Sequence, residues 1–117
     1  MSSYSDLERI RELQELLGSE APEIVASMLA SMTTAIDQLE AAVAAGELDE
    51  ATQAAHRCRN DALMLGARQL QEALTELEAA TRDWHEARVR TALERVREVW
   101  PPTRAELANV ASPPDSR

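Results

Sequence analysis

Residues 54–67, Ala54-Ala55-His56-Arg57-Cys58-Arg59-Asn60-Asp61-Ala62-Leu63-Met64-Leu65-Gly66-Ala67, bring together apolar periodicity, a titratable nucleophile and a helix-ending signal. With Ala51, the residues Ala55, Cys58, Ala62 and Leu65 recur at spacings of four, three, four and three, the seam of a helix in a bundle. At about 100° per residue, His56 projects roughly 130° from the centre of that seam and faces solvent. Its neighbours on the helix, Thr52, Gln53, Arg59, Asn60 and Leu63, include a cation one turn away and no carboxylate. A neutral imidazole in such company is arranged to receive a negative group and stabilise it, although an ordinary surface histidine has the same local pattern.

Working outward, Gly66 breaks the chain before a helix with Leu70, Leu74, Leu77 and Thr81 inward, so the two helices form an antiparallel hairpin. Upstream, Gly46 ends a long helix reaching back to Ser19 and Pro22, with Val25, Met28, Leu29, Met32, Ile36, Leu39 and Val43 as its apolar stripe. Asp49 is the expected N-cap of the His56 helix. Ser5-Asp6-Leu7-Glu8 reads as a capping box that opens a first helix carrying Leu7, Ile10, Leu13, Leu16 and Leu17, stopped by Gly18. Downstream, Asp83 is the expected N-cap of a fifth helix, with His85 in its first turn and Val89, Ala92, Leu93, Val96, Val99 and Trp100 inward. Pro101-Pro102 is expected to end it, leaving a short amphipathic helix over 103–110. The fold class expected is all-α: an antiparallel up-down four-helix bundle with an additional N-terminal helix, one domain over 1–110, and a disordered tail over 111–117.

Composition supports this reading and narrows the chemistry. A chain of 117 residues with three glycines and no phenylalanine favours helix throughout and needs no covalent staple. Its single cysteine, Cys58, excludes an internal disulfide, and its place on the seam suits a small buried hydrophobe. A net charge of −9, with no lysine among twelve basic residues, argues against nucleic-acid binding. No signal peptide or membrane-spanning run is apparent, so a cytoplasmic setting is expected. Gln53 and Arg82 stand three positions before the two histidines, where a carboxylate-bridged metal site on a bundle would carry glutamate. His56 and Cys58 lie about 160° apart on a helix and cannot act as a dyad. With no glycine-rich phosphate loop, autonomous ATP binding is not expected, and no resident cofactor or metal is implied.

The run Ala55-His56-x-Cys58-Arg59-x-x-Ala62-x-x-Leu65-Gly66-Ala67, with Leu70, Leu77 and Glu78 after it and Leu39, Val43, Gly46 and Glu47 before it, resembles the histidine phosphotransfer (HPt) domain. The resemblance covers roughly residues 5–100. It departs from the family pattern at Asn60, where glycine is usual, and at Arg59, where lysine is commoner. The resemblance implies a phosphoryl carrier, not a kinase, that passes a phosphoryl group between receiver-domain aspartates in a two-component phosphorelay. It implies His56 as phosphoryl acceptor, Arg59 as the group that stabilises the phosphoryl charge, and Gln53, Asn60 and Leu63 as a partner-facing patch. Mg²⁺ would come from the receiver domain of a response regulator or hybrid kinase, and the carrier itself is expected to be a monomer and a separate protein. Two other readings stay open: an HPt-like docking module that is never phosphorylated, and a bundle for oligomer assembly through Trp84, Trp100 or the C-terminal segment.

Overall fold

A computed structural model describes residues 4–111. The expected disorder of 112–117 lies outside the described residues. Five α-helices run in order: α1 (Leu7–Leu17), α2 (Ala21–Ala45), α3 (Leu48–Met64), α4 (Arg68–Arg82) and α5 (Glu86–Ala111), with one 3₁₀ turn, Gly18–Glu20, between α1 and α2. Helices α2 to α5 close into a ring in which α2 packs on α3, α3 on α4, α4 on α5, and α5 back on α2. Two- and three-residue connections make neighbours antiparallel, so the all-α up-down bundle with an extra N-terminal helix is what the chain forms.

The seam residues of α3 are all in the core: Ala51, Ala55, Cys58 and Ala62 are fully buried, as is Leu65 just past the helix end. Ala54 joins them, so small side chains line more of α3 than the seam alone required. Burial pushes the Cys58 thiol up to about 12, with the nearby Asp61 charge acting in the same direction. From α4 come Leu70, Leu74, Leu77 and Thr81, from α2 Val25, Leu29, Met32, Ile36 and Leu39, all buried, while Met28 and Val43 sit at the core's edge. Helix α1 contributes only Ile10 and Leu13 fully; Leu7 and Leu16, expected on its apolar stripe, are exposed because α1 meets the bundle along a narrow line.

Helix ends differ from expectation where tertiary contacts set them. Asp6, not Ser5, caps α1: its carboxylate accepts from the backbone N–H of Glu8 and Arg9 at 3.1 and 3.3 Å. The same residue donates its backbone N–H to Gly66 O at 2.7 Å, which ties the start of α1 to the α3–α4 turn. Ser19 lies inside the 3₁₀ turn that leads directly into α2, and Glu47 takes the N-cap position of α3, leaving Asp49 in the first turn, where a carboxylate favours the helix dipole. Asp83 ends α4, and His85 caps α5 by accepting the Arg88 N–H at its Nδ1, 3.2 Å away. Between them Trp84 adopts φ +57° and is exposed.

The largest departure is at Pro101-Pro102, which α5 passes through to reach Ala111, a residue assigned above to the tail. Each proline costs a mid-helix hydrogen bond, about 3 kcal/mol. Burial outweighs it: Trp100, Thr103 and Leu107 share one inward stripe, Thr103 Oγ1 donates to Val99 O at 2.7 Å, and Ile10 and Leu13 join Leu107 in the same core cluster. The separate helix over 103–110 is therefore the last part of α5.

Gly66 has φ +71°, and a Cβ placed there would stand 2.9 Å from Arg9 Cβ and 3.1 Å from Asp6 Cβ. Gly66→Ala should therefore combine left-handed strain with displacement of α1, a loss of roughly 2–3 kcal/mol. Thermal unfolding by circular dichroism should show a midpoint lower by roughly 10 °C. An unchanged midpoint would mean that α1 is not held by this turn.

Candidate functional site

His56 sits on the outer side of α3 with about half of its side chain exposed. The α3–α4 hairpin, centred on the Gly66–Ala67 turn, brings two pairs of residues level with each other. Thr52 Oγ1 lies 2.7 Å from Thr81 Oγ1, and one turn further on, His56 Nδ1 lies 3.2 Å from Glu78 Oε2. The expectation that no carboxylate stands near His56 is thereby corrected. The acid comes from α4, so the periodicity of α3 alone does not place it.

Glu78 is buried at 7% exposure. Its charge is met by three groups: His56, the Arg59 guanidinium with Nε 3.1 Å from Oε1, and Arg82, whose Nη2 donates to Oε2 at 2.7 Å. A buried carboxylate is tolerated only with such partners. The sequence points to only part of this cluster: Glu78 stands out through the family resemblance alone, and no spacing argument ties Arg82 to His56. The signal for Glu78 was a carboxylate between Leu77 and Thr81 on the inward stripe of a helix antiparallel to α3. Arg82 follows it at i+4, the spacing of a helical ion pair.

Arg59 Nη2 also lies 2.9 Å from His56 Nδ1. The two contacts at Nδ1 exclude each other in a neutral ring. With its proton on Nδ1, the imidazole donates to Glu78 and keeps a lone pair on Nε2; with the proton on Nε2, Nδ1 accepts from Arg59 instead. Glu78 and Arg59 thus compete to select the tautomer.

Of the other residues singled out, Asn60 and Leu63 are exposed and continue the His56 stripe toward the C-terminal end of α3. Gln53 is also exposed but lies off that stripe, lining a groove toward α2 with Gln38 and Arg57, which are joined by a 2.6 Å hydrogen bond. Trp100 is buried and offers nothing to an assembly contact, whereas Trp84 is exposed. Among the described residues, no three His, Cys, Asp or Glu side chains group as a metal site, and no helix is long and apolar enough to cross a membrane.

A family model described as Hpt domain matches residues 23–108. Neither a curated protein nor a solved structure matches the chain.

Proposed function

Because the chain belongs to the Hpt domain family, phosphocarrier modules of two-component signalling that interact with receiver domains, we propose that it relays a phosphoryl group between receiver-domain aspartates, with His56 as the acceptor. The observation that carries this reading is the half-exposed imidazole whose Nδ1 faces a buried carboxylate. When the proton sits on Nδ1 and is donated to Glu78, Nε2 holds the free lone pair. Nε2 then attacks the phosphorus of a receiver aspartyl phosphate; the N–P bond forms as the P–O bond to the aspartate breaks, and the aspartate leaves as a carboxylate. No proton need move. The ring becomes cationic as it is phosphorylated, and Glu78 stabilises that charge, as an acid paired with histidine does in hydrolytic triads.

Arg59, one turn from the imidazole, supplies the positive charge for the phosphoryl oxygens, and Arg82 holds Glu78 in place through a 2.7 Å hydrogen bond. Such transfer relies on positioning and charge stabilisation, with Mg²⁺ and the acidic pocket supplied by the receiver. A carrier of this kind has no autonomous kinase activity and works as a monomer in the cytoplasm. Asn60 and Leu63 contact the receiver beside the imidazole, and Gln53 meets it from the flanking groove toward α2. The test is to incubate the protein with Mg²⁺ and phosphorylated receiver domains and look for acid-labile phosphate on the carrier. Receiver binding without label would favour the docking-module reading instead.

Asn60 favours that second reading, because its side chain stands on the exposed stripe one turn from His56, in the path of an approaching partner. Asn60→Gly should raise the transfer rate several-fold in a rapid-quench assay, at a stability cost of roughly a few tenths of a kcal/mol from glycine's poorer helix propensity. An unchanged rate with a cognate receiver would show that Asn60 does not obstruct the approach.

A further inference from the structure

We propose that Thr52 and Thr81 are positioning residues, whose paired hydroxyls fix the axial register of α3 against α4 and thereby hold Glu78 at Nδ1 of His56. This role rests on the reading of His56 as phosphoryl acceptor and adds what keeps the ring in its reactive tautomer. The pair stands at the open end of the α3–α4 hairpin. Thr52 precedes His56 by four residues and Thr81 follows Glu78 by three, so the hydroxyls lie about 5 Å along the helices from the His56–Glu78 contact. The Gly66 turn, at the closed end, is about 15 Å from His56 along α3.

The hydroxyls are bonded so that one proton must lie between the helices. Thr52 Oγ1 is 2.8 Å from Leu48 O, Thr81 Oγ1 is 3.0 Å from Glu78 O, and the two hydroxyl oxygens are 2.7 Å apart. Two protons serve these three contacts. If both pointed to their own helices, lone pairs would face each other across the gap. One hydroxyl therefore donates to the other, which donates to its own backbone carbonyl. In one of the two arrangements that carbonyl belongs to Glu78 itself. Thr81 is 1% exposed and Thr52 half-buried, so water competes little for the bond.

No other contact described between the two helices is as stiff. The residues that α3 buries are Ala51, Ala54, Ala55, Cys58 and Ala62, and apolar contacts set how close helices stand without being directional. Arg59 and Glu78 also meet across this interface, but two long side chains can follow a slide of α4 by changing rotamer. A threonine oxygen sits on Cβ behind a single, β-branched torsion, so a bond between two of them ties backbone to backbone. The His56–Glu78 contact has little reserve: its 3.2 Å is at the long end of the hydrogen-bond range. A slip of α4 by about half an ångström would hand Nδ1 to Arg59, 2.9 Å away, and turn the lone pair inward.

Thr81→Val and Thr81→Ser separate this role from simple packing. Valine keeps volume and branching without the hydroxyl, whereas serine keeps the hydroxyl and loses a buried methyl. Transfer from a phosphorylated receiver is measured with Mg²⁺ over a range of receiver concentrations, beside labelling by phosphoramidate, a small donor that needs no docking, ¹⁵N spectra of the imidazole and thermal melting. Thr81→Val should slow both the limiting transfer rate and phosphoramidate labelling by about three- to tenfold. It should leave the apparent KM for the receiver within about twofold and move the imidazole toward the Nε2–H form. Thr81→Ser should melt lower yet transfer within about twofold of the wild type. Thr52→Val, at the less buried partner, should repeat the Thr81→Val result, and the double variant should be no slower than either, since each removes the same bond. Either valine variant at the wild-type rate and tautomer, Thr81→Ser as slow as Thr81→Val, or a double variant whose losses multiply would overturn the positioning role while leaving His56 as acceptor. A wild type that takes no phosphoryl group from receivers or phosphoramidate would overturn both.

Discussion

His56→Gln should abolish phosphoryl acceptance, with transfer from a phosphorylated receiver falling by at least about 10³-fold, because an amide nitrogen has no lone pair of comparable nucleophilicity. Glutamine keeps a polar side chain of similar reach, and its NH₂ still has Glu78 within range as an acceptor. Since half of the His56 side chain is in water, the folded state should hardly notice the change. The result to seek is loss of acid-labile label at an unchanged melting temperature. Label that persisted would move the acceptor elsewhere, and His85 is the other histidine of the chain. That residue is poorly suited, because its Nδ1 lone pair is occupied by the Arg88 N–H.

Glu78→Ala is expected to slow transfer by roughly ten- to a hundredfold, the scale on which loss of an orienting partner acts on a reacting group. Three consequences combine. His56 loses the acceptor that favours a proton on Nδ1, so Arg59 at 2.9 Å becomes its main partner and the lone pair turns inward. The ring cation formed on phosphorylation loses its counter-charge. Arg59 and Arg82 lose the carboxylate that both engage. Stability should fall as well, by about 1–3 kcal/mol, because Arg82 is largely exposed and can turn to water whereas the buried Arg59 Nε is left without its counter-charge. The tautomer shift gives a readout independent of activity: ¹⁵N spectra of the imidazole should move toward the Nε2–H form. A rate within twofold of the wild type would remove Glu78 from the mechanism.

The contrast between what was legible in the sequence and what was not follows from the range of each interaction. Gly46 and Gly66 announce breaks because left-handed backbone is a local property, and both have positive φ where the helices end. The α3 seam is legible for the same reason: Ala51, Ala55, Cys58 and Ala62 repeat with the helical period, whatever packs against them. Pro101-Pro102 misled because the loss of a hydrogen bond is local while the burial of Thr103 and Leu107 is not. Asp6 displaced Ser5 as cap because the Gly66 carbonyl, sixty residues away in sequence, draws the Asp6 N–H. The candidate site divides along the same line. His56, Arg59, Asn60 and Leu63 share one helix and are found by spacing. Glu78, with Arg82 bound behind it, reaches the imidazole only through the register of the α3–α4 hairpin, which no single helix encodes.

The alanine lining of α3 has a consequence for how partners are exchanged. Side chains this short bring the α3 backbone close to its neighbours and carry almost no rotamer freedom to lose on folding. The helix that bears the imidazole is therefore held between α2 and α4 by material with little room to yield, and the ring stands on its wet side with no flap above it among the described residues. Nothing on this helix has to be ordered or opened before a visitor arrives. Successive visitors meet the same preformed surface, and the interval between them is set by diffusion and release, not by any rearrangement of the carrier.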